Sequence, residues 1–164
     1  MRPTLRAGLR AAMEYRVPDG RTVPHLLPES AEFAALPPVL ATGYLVGLVE
    51  WACVRALAGH LEDGEQTLGV HVDLSHEAPT PPGGTLDLRV ELVAVDGRQL
   101  AFAVEVADEA AVVCRGTHRR AVIDRARFDR RLAARPPAPG DRVAAGEGPV
   151  AGQSPGSGST RRRA

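Results

Sequence analysis

From Thr42 to Leu61 the chain is almost continuously apolar, and this stretch limits the possible folds more than any other. Its length and composition predict a single central helix buried on most sides. Glu50 interrupts the run that begins at Val39, which leaves it short of a membrane span. A carboxylate withdrawn from water costs roughly several kcal/mol unless it is paired, so an acid inside such a segment points to chemistry. Gly43 and Gly47 stand four residues apart on the same segment. Each weakens a helix by about 1 kcal/mol relative to alanine, which predicts close backbone approach as the compensation.

Period-two alternation of apolar and polar residues predicts strands at 11–17, 68–76, 86–92, 100–106 and 112–123. Asp96-Gly97 is a hairpin signal between the third and fourth of these, and sequential antiparallel pairing is the simplest topology. One strand, a long helix and four more strands give an α+β fold, an antiparallel sheet wrapped around a central helix. Between residues 22 and 38 four prolines flank the short piece ESAEFAAL, which reads as a loop with a helical turn or two, suited to act as a lid. Residues 124–134 predict a short terminal helix. The domain is expected to span 1–134, and the Pro/Gly/Ser-rich segment 135–164 is expected to be a disordered tail.

Composition excludes several function classes. With 20 basic and 20 acidic residues the formal net charge is zero, so no overall field attracts nucleic acid or anionic lipid, and neither is expected as a partner. Every basic residue is arginine, which removes lysine Schiff-base chemistry and leaves guanidinium groups for phosphate or carboxylate recognition. Cys53 and Cys114 lie far apart with no secretory signal, so both are expected as reduced core thiols in a soluble cytoplasmic protein. The 5 histidines and 2 cysteines show no paired ligand spacing, and no metal is expected.

Three polar residues embedded in apolar segments are candidate reacting groups: Thr42, Glu50 and His76. His76 ends the strand 68–76 in phase with Leu68, Val70, Val72 and Leu74, which predicts an imidazole on the core-facing side, toward Glu50. A core histidine satisfied by a carbonyl is the competing reading. Thr42 suits a helix N-cap, a role compatible with catalysis. Eight residues, about 12 Å of helical rise, separate it from Glu50, so one substrate meets both only if the helix entry turns back or another subunit contributes. Gly69 inside a β-rich segment marks a bulge or a close approach. Arg120 shares a strand face with Cys114, His118 and Val122, which directs it inward toward Glu50 or a substrate oxygen. His118 reads as structural.

The segments TVPHLLPESAEFAALPPVLATGYLVGLVEWACVRALA, TLGVHVDLSHEAPTPPG, VDGRQLAF and GTHRRAVI resemble the fluoroacetyl-CoA thioesterase family of single hotdog domains, over roughly residues 8 to 130. The resemblance implies a homodimer that hydrolyses short acyl-coenzyme A thioesters, with Thr42, Glu50 and His76 as the catalytic set and Gly69 and Arg120 lining the reacting centre. It implies no cofactor, since the coenzyme A thioester is the substrate. At Leu36 the chain departs from the fluoroacetate-specific pattern, which carries a phenylalanine there working with the aromatic matched by Phe33. Fluoroacetyl selectivity is therefore expected to weaken.

The expected reaction converts a short-chain acyl-CoA into a carboxylate and free CoA. Glu50 either attacks the carbonyl or activates water, Thr42 and backbone N–H groups near Gly69 steady the oxyanion, and His76 transfers protons. Two alternatives remain at this stage: a non-catalytic acyl-CoA binding or sensing module, and an acyl-CoA hydratase or dehydratase.

Overall fold

The alternating segments form one antiparallel sheet of five strands: β1 (Arg10–Arg16), β2 (Glu65–Leu74), β3 (Thr85–Asp96), β4 (Gln99–Ala107) and β5 (Val112–Asp124). The computed structural model describes residues 1–136, so the expected disordered tail lies outside the described residues beyond its first two positions. Strand order is β1-β3-β4-β5-β2. Sequential pairing holds from β3 to β5, with Gly97 at φ +54° in the turn after Asp96. It fails for β2, which pairs with β5 rather than β3. The connection through Pro79, Pro81 and Pro82 lacks the two-residue turn that would fold β2 back on β3, and it carries the chain across the fold instead.

Helix α2 (Thr42–Ala56) ends five residues before the apolar run does, and residues 57–61 continue as turns. It buries one face, Leu45, Leu48, Val49, Ala52, Cys53 and Ala56, against the inward residues of the sheet, including Leu86, Leu88, Leu92, Leu100 and Phe102. Burial on most sides is not what this chain achieves alone. A single five-stranded sheet covers one side of a helix, so Trp51 and Val54 remain 49% and 46% exposed. Close backbone approach is found at neither glycine: a Cβ at Gly43 would meet the Leu26 side chain at 3.2 Å, and nothing among the described residues lies within 4 Å of one at Gly47.

The loop 22–38 carries the single-turn helix α1 (Ala31–Ala34), capped by Ser30, whose hydroxyl accepts from the Phe33 N–H at 3.3 Å. Backbone bonds from Val23 N–H to the Val39 carbonyl and from Leu40 N–H to the Thr80 carbonyl fasten its two ends beside the start of α2. Helix α3 (Arg125–Ala133) follows β5 directly, with Asp124 capping it through the Arg127 N–H at 2.7 Å.

A bulge at Val70 changes the phase of β2. Gly69 pairs with Arg120 but His71 pairs with Arg119, so Val70 has no partner. Before the bulge Thr67 and Gly69 face the helix; after it Val72 and Leu74 do, because they lie opposite the inward-facing His118 and Gly116. The expected single face from Leu68 to His76 is therefore split, and Gly69 shares the helix side with Val72 rather than opposing it. Gly116 locks the far end of this pairing. Its φ is +150°, and a Cβ there would lie 2.0 Å from the Asp73 carbonyl oxygen. Gly116→Ala should separate β2 from β5 locally and cost about 2–4 kcal/mol of stability, read as a lower denaturation midpoint.

Candidate active site

Arg120 occupies the inner face of β5, and its guanidinium is almost fully buried. Burying that charge requires partners, and each end of the fork finds one. Nε donates to the Thr67 hydroxyl at 2.9 Å and Nη2 to the Thr67 carbonyl at 3.0 Å. Nη1 reaches Glu50 Oε2 at 3.2 Å and His118 Nε2 at 3.1 Å. His118, also buried, has Nδ1 2.9 Å from the His71 carbonyl. A carbonyl only accepts, so Nδ1 carries the proton and Nε2 is left as the acceptor for Arg120. Burial, then the neighbouring Arg120 charge, hold the His118 pKa below its ordinary 6.5 and keep the ring neutral.

Glu50 meets the predicted Arg120 partner but is not sealed from water: its side chain stays 40% exposed. Gly69 sets how closely it approaches β2. A Cβ at that position would lie 2.6 Å from Glu50 Oε1 and 3.1 Å from His118 Cε1, so only glycine lets the carboxylate lie against β2. Both expectations for Gly69, a bulge and a close approach, hold together.

Thr42 and His76 form a second cluster. Thr42 is the first residue of α2, with Ala41 in the cap position, and its side chain makes no cap hydrogen bond. The N-cap expectation fails because the hydroxyl is engaged elsewhere, 2.9 Å from His76 Nδ1. His76 lies two residues past the end of β2, yet Ser75 and Glu77 still donate to the Arg115 and Val113 carbonyls of β5. That tether keeps the imidazole on the inner side. Its Nε2 is buried and has no hydrogen-bond partner among the described residues. Burial lowers the His76 pKa, partly offset by the Ala78 backbone, so the ring stays neutral further into acid than a free histidine.

Thr42 and His76 line a cleft of about 300 Å³ with Val23, Val39, Leu40 and Pro79 among its walls. The lid segment thus reaches the cleft through its two ends. Phe33, half-buried, and Leu36, 46% exposed, sit on the intervening turn and do not line it. The structure brings together Glu50, Gly69 and Arg120 in one place and Thr42 with His76 in another. Glu50 and His76 are not hydrogen-bonded to each other within the chain. Thr67 and the His71 carbonyl were not singled out from sequence, although Thr67 shares strand phase with Gly69.

Other chemistries find no footing among the described residues. Burial pushes the Cys53 thiol up to about 12 and the Cys114 thiol up to about 11, so neither presents a thiolate. No group of three His, Cys, Asp or Glu side chains is gathered to hold a metal, and no helix is long and apolar enough to cross a membrane.

The sequence profile of a family described as "Fluoroacetyl-CoA-specific thioesterase" matches residues 25–126. A curated protein, fluoroacetyl-CoA thioesterase of Streptantibioticus cattleyicolor, is 46% identical over 138 residues, covering 84% of this chain and 99% of its own. A crystal structure of the fluoroacetyl-CoA thioesterase FlK superposes with TM-score 0.78 at 46% identity, over 81% of this chain and 98% of that one. A thioesterase superfamily member from Thermus thermophilus matches at TM-score 0.72 and 26% identity, over 82% of this chain and 96% of its own.

The Arg120 cluster makes a prediction that does not depend on substrate. His118 is neutral when folded and has a lowered pKa, so the stability it contributes is present above about pH 6.5, its ordinary value, and is lost as pH falls toward the folded value. His118→Leu removes both hydrogen bonds, and should lower stability by about 2–3 kcal/mol at neutral pH while flattening this acid dependence, measured by denaturant titration at several pH values.

Proposed function

The chain belongs to the fluoroacetyl-CoA-specific thioesterase family, and from that premise we infer that it hydrolyses a short-chain acyl-CoA to a carboxylate and free CoA. The observation that carries a catalytic reading of the site is the buried Nε2 of His76, unpartnered among the described residues, on a ring that lines a cleft with Thr42 and bonds its hydroxyl. A buried polar atom left bare costs about 1–3 kcal/mol, and a bound substrate or water offsets that cost. With its proton on Nδ1 and directed at Thr42, the ring offers Nε2 as a base. Nε2 accepts a proton from the attacking water or the acyl α-carbon and returns one to the departing sulfur. Water oxygen becomes bonded to the acyl carbon, the C–S bond breaks, and the sulfur leaves as the thiol.

Glu50 supplies the negative oxygen. Arg120 holds Oε2, and Oε1 has no hydrogen-bond partner among the described residues, which frees it to attack the carbonyl or to deprotonate water. Thr42 and backbone N–H groups near Gly69 are the candidates to receive the oxyanion.

Because Thr42 and Glu50 sit at opposite ends of a stretch of α2 that rises about 12 Å, one protomer does not bring its own pair and its own carboxylate to one bond. A homodimer resolves this. The edge strand β2 exposes Leu68, Val70 and Val72, and the adjacent helix exposes Trp51 and Val54. These exposed apolar residues are the candidates for the surface that a second copy would cover. In that dimer Glu50 of one copy faces Thr42 and His76 of the other. Phe33 and Leu36 shape the acyl end from the lid, and leucine at position 36 supports a tolerance for acetyl beside fluoroacetyl groups.

A free-thiol assay with acetyl-CoA and fluoroacetyl-CoA tests the reading. The intact protein should release CoA thiol, Glu50→Gln and His76→Ala should each lower kcat about 100-fold or more, and Leu36→Phe should raise the fluoroacetyl preference. Thioester binding without thiol release would favour a sensing module, and a hydrated or dehydrated acyl-CoA product would favour the hydratase. The acid limb of kcat/KM should fall below the ordinary histidine value, in line with the lowered His76 pKa, and should vanish in His76→Ala. Val70→Asp should give a monomer by light scattering with activity lost in parallel.

A further inference from the structure

Thr80 is fully buried, and three loops meet at it. It lies in the connection between β2 and β3, four residues after His76. Its hydroxyl donates to Asp108 Oδ2 at 3.0 Å, in the turn between β4 and β5. Its carbonyl accepts from the Leu40 N–H at 2.8 Å, just past the lid segment. Asp108 is itself fixed by its turn: Oδ1 accepts from the Ala110 and Ala111 N–H groups at 2.9 Å each, and the Asp108 N–H donates to the Ala111 carbonyl at 2.9 Å. The bond from Ala110 foremost, with those from Ala111 and Thr80, holds the Asp108 carboxyl below its ordinary 3.8, so at neutral pH Thr80 donates to a charged acceptor. Gly84 makes room on the other side. A Cβ there would lie 2.7 Å from Thr80 Cγ2 and 3.1 Å from the Pro81 carbonyl oxygen, so the connection folds back on Thr80 with no side chain between.

What hangs from these bonds is the cleft that Thr42 and His76 line. Leu40 and Pro79 are two of its walls, and Thr80 is hydrogen-bonded to the first and peptide-bonded to the second. Thr80 itself does not line the cleft. Ser75 and Glu77, on either side of His76, are fastened to β5, and the Asp108 bond fastens the same connection again beyond Pro79. Thr42 follows Leu40 by two residues. The hydroxyl and the imidazole that bond each other at 2.9 Å therefore come from two chain segments, both of which are fastened to Thr80.

We propose that Thr80, anchored by Asp108, is a positioning residue for the reaction: it fixes the spacing of Thr42 and His76 across the cleft without touching the substrate. Its kinetic consequence rests on the thioesterase reading, and its geometric consequence does not. A reacting group displaced by about 1 Å costs on the order of 100-fold in rate, so a tether two to four residues from both members of the pair is placed to matter.

Thr80→Val keeps the side-chain shape and the carbonyl and removes the hydroxyl, whereas Thr80→Ser keeps the hydroxyl. In the free-thiol assay with acetyl-CoA, at a temperature where each variant is folded, Thr80→Val should lower kcat about tenfold or more with KM changed by less than about threefold, and Thr80→Ser should restore kcat to within about threefold of the parent. Asp108→Ala should reproduce the loss, and carries the same test if Thr80→Val does not fold. The double variant should be no slower than the worse single variant, because both break one bond. Parental kcat in a folded Thr80→Val or Asp108→Ala enzyme overturns the assignment, as does a double variant whose loss is the product of the two single losses. Nitrogen-15 NMR of the imidazoles gives an arm independent of turnover. The His76 ring resonances should shift in Thr80→Val and return in Thr80→Ser, with those of His118 unmoved, and unmoved His76 resonances overturn the assignment. If the intact protein releases no thiol while the His76 resonances shift in Thr80→Val, the hydrolase reading fails and the positioning role stands.

Discussion

One buried guanidinium fastens the parts of this molecule that matter for chemistry. Arg120 is carried by β5, donates to the Thr67 hydroxyl and carbonyl of β2 and to the neutral His118 Nε2, and reaches Glu50 of α2. A cation taken out of water is tolerated only when its donors are used, so the position of each partner is set by the demands of the others. The bulge at Val70 and the missing side chain at Gly69 are how β2 accommodates this arrangement. Without the bulge the strand would turn Val72 and Leu74 outward, and without the glycine the carboxylate could not lie against the backbone.

Much of this was legible in the sequence because it follows from local periodicity. The alternating segments became strands, the apolar run became α2, the Asp96-Gly97 turn became a hairpin, and the phase of β5 placed Arg120 toward Glu50. What periodicity does not reveal is pairing across the fold. Nothing local in β2 says that it neighbours β5, and a bulge inverts every inference made by counting alternate residues past it. Thr42 shows the same limit in a helix: its residue type suits a cap, but its hydroxyl bonds His76, whose approach depends on tertiary structure.

The exposed surfaces explain why a helix written for burial on most sides is covered on only one. Trp51 packs edge-on against Tyr15 of β1 while Val54 lies beside β2, and both stay exposed, as do Val70 of β2 and part of the Glu50 side chain. Hydrophobic residues that a single five-stranded sheet cannot reach are in this account the lining of a shared site. The same placement answers the geometric objection raised by the eight residues between Thr42 and Glu50. In the proposed homodimer both copies would contribute, each giving its carboxylate to the other's threonine and histidine.

That sharing is tested most directly by mixing two inactive chains. When Glu50→Gln and His76→Ala copies are co-expressed with different tags and the mixed dimer is isolated, one of its two sites combines two damaged residues and the other combines two intact ones. The account predicts that the mixed dimer recovers about half the thioesterase activity of the parent dimer, while each homodimer remains inactive. A mixed dimer as inactive as its parents would mean that each site takes its carboxylate and its imidazole from one and the same chain, and would contradict the account.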